Sequence, residues 1–389
     1  MIRPKLNIKF LGININSFHF FGVSGFIAGT LLGVLLCYNL HLRVTTILLM
    51  SLIGAGVFFV LALIPKVFTG KETIVYYHHE VAILLACTAS LKAMHLPVLP
   101  YIDVVLAGVA TFLAFGRIGC FSVGCCHGRP SKYGTFYGTA HVQKGFANYY
   151  RNVCLIPVQL IESTFVFLVL IVSVFIVKHY LPGTFLIFYT AVYGAFRFGI
   201  EFFRGDAARP YWNGLSEAQW TTLVLVNITL ILSLVKQLPL YGWHVMIAVV
   251  LVLIALFSIS RKKLIEGLFS AKHTAQIAIV LHKFTLDDSN SDQGIQLKGF
   301  IMYTTDQGLK ISRGILKDGE AEFHHYTFSA TDPEMLNDKT VRQLAKLIKI
   351  ICGYRSLYQP IKNNESIFQV VFKEPVCKER ILRSAALPV

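Results

Sequence analysis

The sequence predicts an all-α polytopic membrane bundle of about seven to eight transmembrane helices, followed by a small C-terminal soluble α+β domain. The 389-residue chain has a mean hydropathy of +0.59 and only 15% charged residues, which is far more apolar than a soluble domain. Apolar runs of spanning length recur up to residue 260. The composition becomes polar after Arg261-Lys262-Lys263, so we divide the chain into residues 1–260 and 261–389.

Eight apolar runs can cross a bilayer, and some are short enough to pack inside the bundle. The first run follows a basic segment without a small-residue cleavage site, so we interpret it as a span and not as a cleaved signal. Small residues in the first two runs, Gly22, Gly25, Gly54 and Gly56, favour close helix contacts. The runs are Phe18–Tyr38, Thr45–Ile64, Val81–Leu96, Tyr101–Val123, Leu155–Val177, Thr184–Phe203, Trp220–Val235 and Leu240–Ile259.

The basic charge of the chain favours an anionic lipid surface as its partner. The formal charge is +15, with 17 Lys/Arg against 7 acids up to residue 260 and 19 against 14 beyond it. Nucleic acid is not expected as a partner, because no Lys/Arg stripe interleaved with aromatic residues is present. The eight cysteines lack the regular spacing of a secreted disulfide framework.

The tail contains patterns of both ordered and irregular structure. Asn337 to Cys352 has the spacing of an amphipathic helix. The segment from Leu286 to Gly294 is rich in Asp, Ser and Asn and predicts a loop, while Asp318-Gly319 predicts a turn. His324-His325 has no Cys or acid at ligand spacing, so we expect these two residues at the surface.

Reactive side chains crowd together where the fourth apolar run ends. Arg117 is a costly charge at the end of an apolar helix, where a partner or ligand is expected to neutralise it. Cys120, Cys125 and Cys126 could bind zinc with His127, although the spacing is unfamiliar and adjacent ligands strain a tetrahedral site. They could also form a redox pair beside an arginine, or simply pack as small residues, which we favour. The stretch reads Gly116-Arg117-Ile118-Gly119-Cys120-Phe121-Ser122-Val123-Gly124-Cys125-Cys126-His127-Gly128-Arg129-Pro130.

The sixth run carries more charge than a plain membrane span. Arg197 and Glu201 are four residues apart and share one helix face, which fits an internal ion pair. Arg117 and Arg204 lie near the same level and leave an excess of positive charge that an anionic ligand such as a lipid phosphate would neutralise. His78, before the third run, is either a solvated or capping residue or a base for a thiol or hydroxyl nucleophile.

The order of these motifs over roughly residues 15–236 resembles the prolipoprotein diacylglyceryl transferases, integral membrane enzymes of bacteria. The family signature Arg-x-Gly-Asn-Phe-x-Asn-x-Glu-x-x-Gly is similar to the segment 117–128. Pro-x-Gln-Leu-x-Glu is similar to 157–162, and Tyr-Gly-x-x-Arg-Phe-x-x-Glu-Phe-x-Arg matches 193–204. His78 falls where the family has a functional His, and 216–219 resembles the start of its last span.

The departures define a divergent, cysteine-rich branch. Cys120, Val123 and Cys125 stand where the signature has Asn, Asn and Glu, and Phe21 stands where the family has a functional Tyr. The run Leu240–Ile259 and the tail lie outside the family pattern.

The resemblance implies transfer of a diacylglyceryl group from phosphatidylglycerol to the cysteine thiol of a lipoprotein precursor, in the bacterial inner (plasma) membrane and without a metal or organic cofactor. Arg117 and Arg197 would bind and neutralise the phosphate, Glu201 would orient Arg197, and His78 would be the base. The residues assigned to substrate binding are Arg129, Arg204, Tyr193, Gln159, Cys120 and Cys125.

Two other functions stay open. One is thiol exchange or acyl transfer by Cys120, Cys125 and Cys126 on the same fold; the other is a non-catalytic module that binds anionic lipid. The acceptor is expected to be the lipoprotein precursor or another thiol. The Lys/Arg count predicts that the motif loops are cytoplasmic, whereas the resemblance implies the periplasmic face, and we follow the resemblance. Eight spans would place the tail on the side of the motif loops, and seven would place it on the opposite side.

Overall fold

A computed structural model of the chain describes residues 4–70, 74–207, 209–260, 267–291, 301–318, 321–354, 360–364 and 367–373. Helices dominate the part up to residue 260, and a short N-terminal hairpin leads into the first of them. The elements are β1 (Asn7–Phe10), β2 (Ile13–Asn16), α1 (Ser17–Asn39), α2 (Val44–Thr69), α3 (Tyr76–Ala93), α4 (Val98–Val123), β3 (Pro130–Thr135), α5 (Thr139–Gln143), α6 (Val158–His179), α7 (Thr184–Phe188), α8 (Gly194–Ile200), β4 (Tyr211–Trp212), β5 (Leu215–Ser216), α9 (Glu217–Leu234) and α10 (Gly242–Ser260).

Seven helical segments of the described chain are long and apolar enough to cross a membrane, so the protein is a multi-pass membrane protein. They include α1, α2, α4, α6, the segment Thr184–Phe203, α9 and α10. The helix α3 covers most of the remaining predicted run, but its first turn carries His78, His79 and Glu80, which lower its apolar character. It nevertheless packs into the same apolar core through Ile83, Cys87 and other buried residues. The predicted polytopic bundle is confirmed.

The closest helix contact joins α1 to α4. A Cβ atom added at Gly29 would lie 2.6 Å from the carbonyl oxygen of Gly108, and one at Gly25 would lie 2.7 Å from Cβ of Phe115. Only glycine allows the two backbones to approach this closely. Gly22 and Gly56 have nothing within 4 Å of such a Cβ, so the prediction of close contacts is wrong for these two positions.

The sixth span is a composite helix that a buried acid on α4 holds in place. The carboxylate of Asp103 accepts hydrogen bonds from the backbone N–H groups of Gly183, at 2.7 Å, and Leu186, at 2.8 Å. These groups lie at the start of α7, where the helix itself offers them no acceptor. One π-helical turn, Tyr189–Tyr193, separates α7 from α8, and a 3₁₀ turn, Glu201–Phe203, ends the span.

The C-terminal part combines two helices with one antiparallel sheet, and the predicted α+β class is confirmed. The sheet order is β6-β7-β8-β10-β9. Asn337 caps the second helix by accepting a hydrogen bond from the N–H of Thr340 at 2.9 Å, so the predicted amphipathic helix is confirmed. The elements are α11 (Ala271–Ser291), β6 (Met302–Thr304), β7 (Leu309–Asp318), β8 (Ala321–Ala330), α12 (Asp338–Cys352), β9 (Pro360–Asn364) and β10 (Ile367–Lys373).

Two predictions for the tail are wrong. The helix α11 continues to Ser291 and so includes the first six residues of the predicted loop, whose remaining residues lie outside the described ranges. His324, expected at the surface, is only 8% exposed, because its position on β8 turns the ring towards Tyr354, with 5.2 Å between ring centroids. The predicted turn at Asp318-Gly319 falls between β7 and β8, and Gly319 itself is outside the described residues.

The tail packs against the loop that follows α4. Nη1 of Arg129 donates to the carbonyl oxygen of Phe269 at 2.9 Å, and Asn148 is hydrogen-bonded to His282 at 3.1 Å. Tyr150 of the loop shares a small apolar cluster with Ala278 of α11. The described part of the tail therefore lies on the face of the bundle where α4 ends.

The α1–α4 contact provides the first testable prediction. Replacing Gly29 with Ala should push α1 away from α4 and destabilise the protein by about 1–3 kcal/mol, since overpacking forces backbone shifts. Gly22→Ala on the same helix, where the added methyl meets nothing within 4 Å, is the matched control. Thermal unfolding of the detergent-solubilised protein should show a lower midpoint for Gly29→Ala alone. Equal midpoints for the two variants would contradict the close contact.

Candidate functional site

A buried carboxylate on α6 joins two arginines from different helices. Oε2 of Glu162 lies 2.9 Å from Nε of Arg117 on α4, and Oε1 lies 3.7 Å from Nε of Arg197 on α8. Tyr193 donates its hydroxyl hydrogen to Oε1 at 2.9 Å. The Glu162 side chain is 1% exposed, so these ion pairs lie away from solvent, where both charges need partners.

The charges continue from this hub towards the loop after α8. Arg197 also pairs with Glu201, at 3.0 Å between Nη1 and Oε2, as the four-residue spacing predicts. The other oxygen of Glu201 lies 2.5 Å from Nη1 of Arg209. Arg204 forms a bidentate pair with Asp206, at 2.8 and 3.0 Å, which fixes the orientation of the guanidinium group.

Arginines outnumber carboxylates in this region. Arg129 donates to the carbonyl oxygens of Arg204, at 3.2 Å, and Phe269. We define the charge cluster as the five arginines and three carboxylates that these contacts connect. The excess leaves two positive charges without a carboxylate within the set. Its members are Arg117, Arg129, Arg197, Arg204, Arg209, Glu162, Glu201 and Asp206.

Tyrosines form one wall beside the charge cluster. The π-helical turn carries both Tyr189 and Tyr193, whose rings stack with centroids 4.9 Å apart. The hydroxyl of Tyr189 is hydrogen-bonded to that of Tyr76 at 2.5 Å, and Tyr77 is bonded to Thr222 at 2.8 Å. The wall thus connects α3 and α9 to Glu162, and π-helical turns of this kind are frequent at functional sites.

The three cysteines of the motif stretch meet at the end of α4. Their sulfur atoms all lie within 4.8 Å of one another, and Cys125 is exposed whereas Cys120 and Cys126 are half-buried. The backbone turns sharply here, with φ of +86° at Gly124 and +57° at Cys126. Nε2 of Gln159 donates to the carbonyl oxygen of Cys125 at 2.7 Å and ties this turn to α6.

The sulfur atoms are chemically distinct. Hydrogen bonds from the thiols of Cys120 and Cys125 hold the pKa of Cys126 well below its usual value, and the nearby Arg204 and Arg117 also favour the thiolate. His127 does not join the sulfur group: its Nδ1 is bonded to the carbonyl oxygen of Gly128 at 2.9 Å. Burial between aromatic rings lowers the pKa of this imidazole.

The structure brings together most residues selected from the sequence. Arg117, Arg129, Arg197, Glu201 and Arg204 belong to the charge cluster. Tyr193 contacts the cluster by its hydrogen bond to Glu162. Gln159 is hydrogen-bonded to the backbone of Cys125, at the turn that carries the three cysteines.

His78 is not part of the charge cluster. Its side chain is 60% exposed, and its Nε2 lies 2.9 Å from Oε1 of Glu217 at the start of α9. Glu162, Asp206 and Arg209 were not among the site residues predicted from the sequence. A carboxylate inside the apolar run of α6 was the available signal for Glu162, because an unpaired acid there is costly.

The fold and the charge cluster define a polytopic membrane protein with a largely buried ionic site beneath one face of the bundle. The family model for prolipoprotein diacylglyceryl transferase matches residues 6–235, more than half of the chain. The chain belongs to this family.

Curated relatives carry the name phosphatidylglycerol–prolipoprotein diacylglyceryl transferase. The relative from Clostridium tetani is 35% identical over 138 residues, which are 35% of this chain and 53% of the relative. Those from Dehalococcoides mccartyi strains BAV1 and 195 are 32% identical over 128 residues and 29% identical over 137 residues. These matches cover 33% and 35% of this chain and 47% and 51% of the relatives. The chain thus spans about half the length of the curated relatives it matches.

Loss of the Glu162 charge should destabilise the bundle. Glu162→Gln leaves Arg117 buried without its anion, which costs about 3–5 kcal/mol when one partner of a buried pair is removed. Glu217→Gln removes a partner of the exposed His78 and should cost less than about 1 kcal/mol. Denaturant unfolding in detergent measures both changes, and similar values for the two variants would argue against Glu162 as the central ion pair.

Proposed function

We propose that this protein transfers a diacylglyceryl group from phosphatidylglycerol to the cysteine thiol of a lipoprotein precursor. The observation that carries the proposal is the charge cluster with its two excess positive charges, within a bundle that belongs to the diacylglyceryl transferase family. The names of the curated relatives give the two substrates. The leaving group of this displacement bears a phosphate, whose negative charge the arginines would stabilise as it develops.

An apolar groove next to the charge cluster supports lateral entry of a lipid. It lies between α6 and α8 and has a volume of about 380 Å³. Phe165 and Phe196 stack along it with ring centroids 3.9 Å apart, and Phe196 directly precedes Arg197. An acyl chain in the groove would leave the headgroup near the arginines. The lining residues are Leu160, Ile161, Thr164, Phe165, Leu168 and Phe196.

The proposed roles follow the contacts of each residue. Arg117 and Arg197 bind the phosphate, Glu201 and Glu162 orient their guanidinium groups, and Arg129 and Arg204 hold the headgroup. Tyr193, Gln159, Cys120 and Cys125 are also assigned to substrate binding. His78 is proposed as the base for the acceptor thiol, held by Glu217 at the rim of the bundle.

We further propose a placement in the bacterial inner membrane with the motif loops on the outer face. The chain divides functionally at residue 260, since the helices and the sheet have separate apolar cores. The tail, docked on the loop after α4, would then share the face on which the precursor arrives.

Complementation tests the function directly. A bacterium depleted of its own diacylglyceryl transferase should regain lipidated precursor, seen as a mass shift, when it expresses this chain. Arg117→Ala and Arg197→Ala should abolish the shift, whereas Arg151→Ala, an exposed arginine of the loop after α4, should retain it. His78→Ala should lower transfer by about 10²–10⁴-fold if the imidazole is the base. Folded, inserted protein without any transfer, but with bound phospholipid, would favour the lipid-binding module instead.

Filling the groove tests lipid entry. Thr164→Trp places an indole in the groove and should raise the KM for phosphatidylglycerol, because the acyl chain loses its space. Ile171→Trp on the same helix is the control, since Ile171 is 70% exposed and does not line the groove. Both variants keep an apolar helix surface, so comparable folding is expected. An unchanged KM for Thr164→Trp would contradict entry through this groove.

A further inference from the structure

The cysteine cluster is the part of the site for which the proposed transfer gives no chemical role. Its three sulfur atoms lie within 4.8 Å of one another, and packing at the end of a helix does not require such a close grouping. A tetrahedral zinc site, with metal–sulfur bonds of about 2.3 Å, places its sulfurs about 3.8 Å apart. Small side-chain rotations would bring the three sulfurs to that spacing.

We propose that Cys120, Cys125 and Cys126 bind one thiophilic d¹⁰ cation such as Zn²⁺, and that its fourth coordination position binds the thiol of the acceptor cysteine. Three protein ligands with one open position are the arrangement of catalytic zinc sites, whereas structural sites use four. Cys125 is exposed, so an outside ligand can reach the sulfurs. The second half of the proposal rests on the proposed function, because only that function supplies a thiol substrate.

The local charge favours a metal bound by three thiolates. Such a complex of a divalent cation carries one net negative charge, and the charge cluster has two positive charges without a carboxylate. One can neutralise the complex and the other the lipid phosphate. Arg204 lies in electrostatic range of Cys126, and its Nη1 is buried without a hydrogen-bond partner among the described residues. An arginine so placed stabilises thiolates and would repel a cation held by neutral ligands.

The backbone is arranged to bring the sulfurs together. Cys126 adopts a left-handed backbone conformation, with φ of +57°, which is unfavourable for a non-glycine residue. Such strain persists where the surroundings enforce it, and it is concentrated at functional sites. Here the turn at Gly124 and the hydrogen bond from Gln159 to Cys125 enforce it.

The bound cation would activate the acceptor without a base at the site. The acceptor thiol binds as thiolate and its proton passes to water, because a coordinating cation lowers the thiol pKa. The sulfur then attacks the glyceryl carbon and forms a C–S bond. The C–O bond to the phosphate breaks with its electron pair on oxygen, so the products are a thioether and a phosphate monoester, with no net oxidation. This activation is an alternative to the role proposed above for His78 as the base, and the two differ in whether His78→Ala lowers transfer.

Metal binding is tested on the full chain in detergent, after reduction and removal of metal. Zn²⁺ added in excess and then dialysed should remain at one equivalent per chain by elemental mass spectrometry. Cys120→Ser, Cys125→Ser and Cys126→Ser should each lose this stoichiometric binding, while Cys154→Ser, a buried cysteine outside the cluster, should retain it. A wild-type chain without bound Zn²⁺, or a triple Ser variant that binds as wild type, would overturn the site.

The open position is tested with Co²⁺ in place of Zn²⁺. Thiolate-to-cobalt charge-transfer absorption should appear in the wild type and disappear in the triple variant. A peptide with the acceptor cysteine should change the visible bands of bound Co²⁺, and the same peptide with Ser should not. Visible bands of bound Co²⁺ that do not change when the cysteine peptide is added would overturn the proposal that the cation binds the acceptor thiol.

Transfer assays separate the two proposals. If the triple Ser variant transfers diacylglyceryl at the wild-type rate, the metal proposal fails and the proposed function stands. If Co²⁺ binds and responds to the cysteine peptide while the wild type shows no transfer, the metal site stands and the proposed function fails.

Discussion

The ion pairs of Glu162 determine how the central helices meet. A lone carboxylate or guanidinium group inside a bilayer is costly, so α4, α6 and α8 must approach closely enough for one acid to pair with two arginines. The attraction mainly offsets the cost of burying the charges, and such pairs therefore specify an arrangement more than they add stability. The glycine contact then holds α1 closely against α4, the helix that carries Arg117.

The composite helix of the sixth span, Thr184–Phe203, is also held by α4, at the end opposite to Arg197. Asp103 of α4 holds the start of α7, and Arg117 of α4 reaches Glu162 near the opposite face. The helix α4 thus contacts α7 through Asp103 and α6 through Arg117. Between these points, the π-helical turn adds a residue to the helical repeat and so alters which side chains face inward. Both Tyr193 and Arg197 direct polar groups towards Glu162 in this geometry.

The sequence predicts features that depend on local patterns. Apolar runs predicted the helices, the four-residue spacing predicted the Arg197–Glu201 pair, and the amphipathic spacing predicted α12. Features that depend on tertiary contacts could not be predicted from these local patterns. The pairing of Glu162 with Arg117 joins different helices, and equally small residues such as Gly22 and Gly25 differ only in whether a partner helix lies opposite.

The wrong predictions have the same origin. Local polarity predicted a loop over the end of α11, and the lack of a Cys or acid at ligand spacing predicted a surface position for His324. The helix α11 packs against the sheet through residues up to Phe284 and continues to Ser291, and the His324 ring lies beside that of Tyr354. A polar stretch therefore does not exclude a helix or a strand, because one face of the element can pack while the other remains polar.

The turn that carries Cys125 and Cys126 differs from the family signature in the charge of its side chains. Cys125 stands where the family signature has Glu, so this position lacks one negative charge, and it lies beside Cys126, which interacts with Arg204 and Arg117. Three thiolates around a divalent cation would together carry one negative charge and so restore it, and such a complex would also provide an open coordination position. The metal proposal therefore keeps the charge that the family signature places here and adds a binding position for the acceptor thiol.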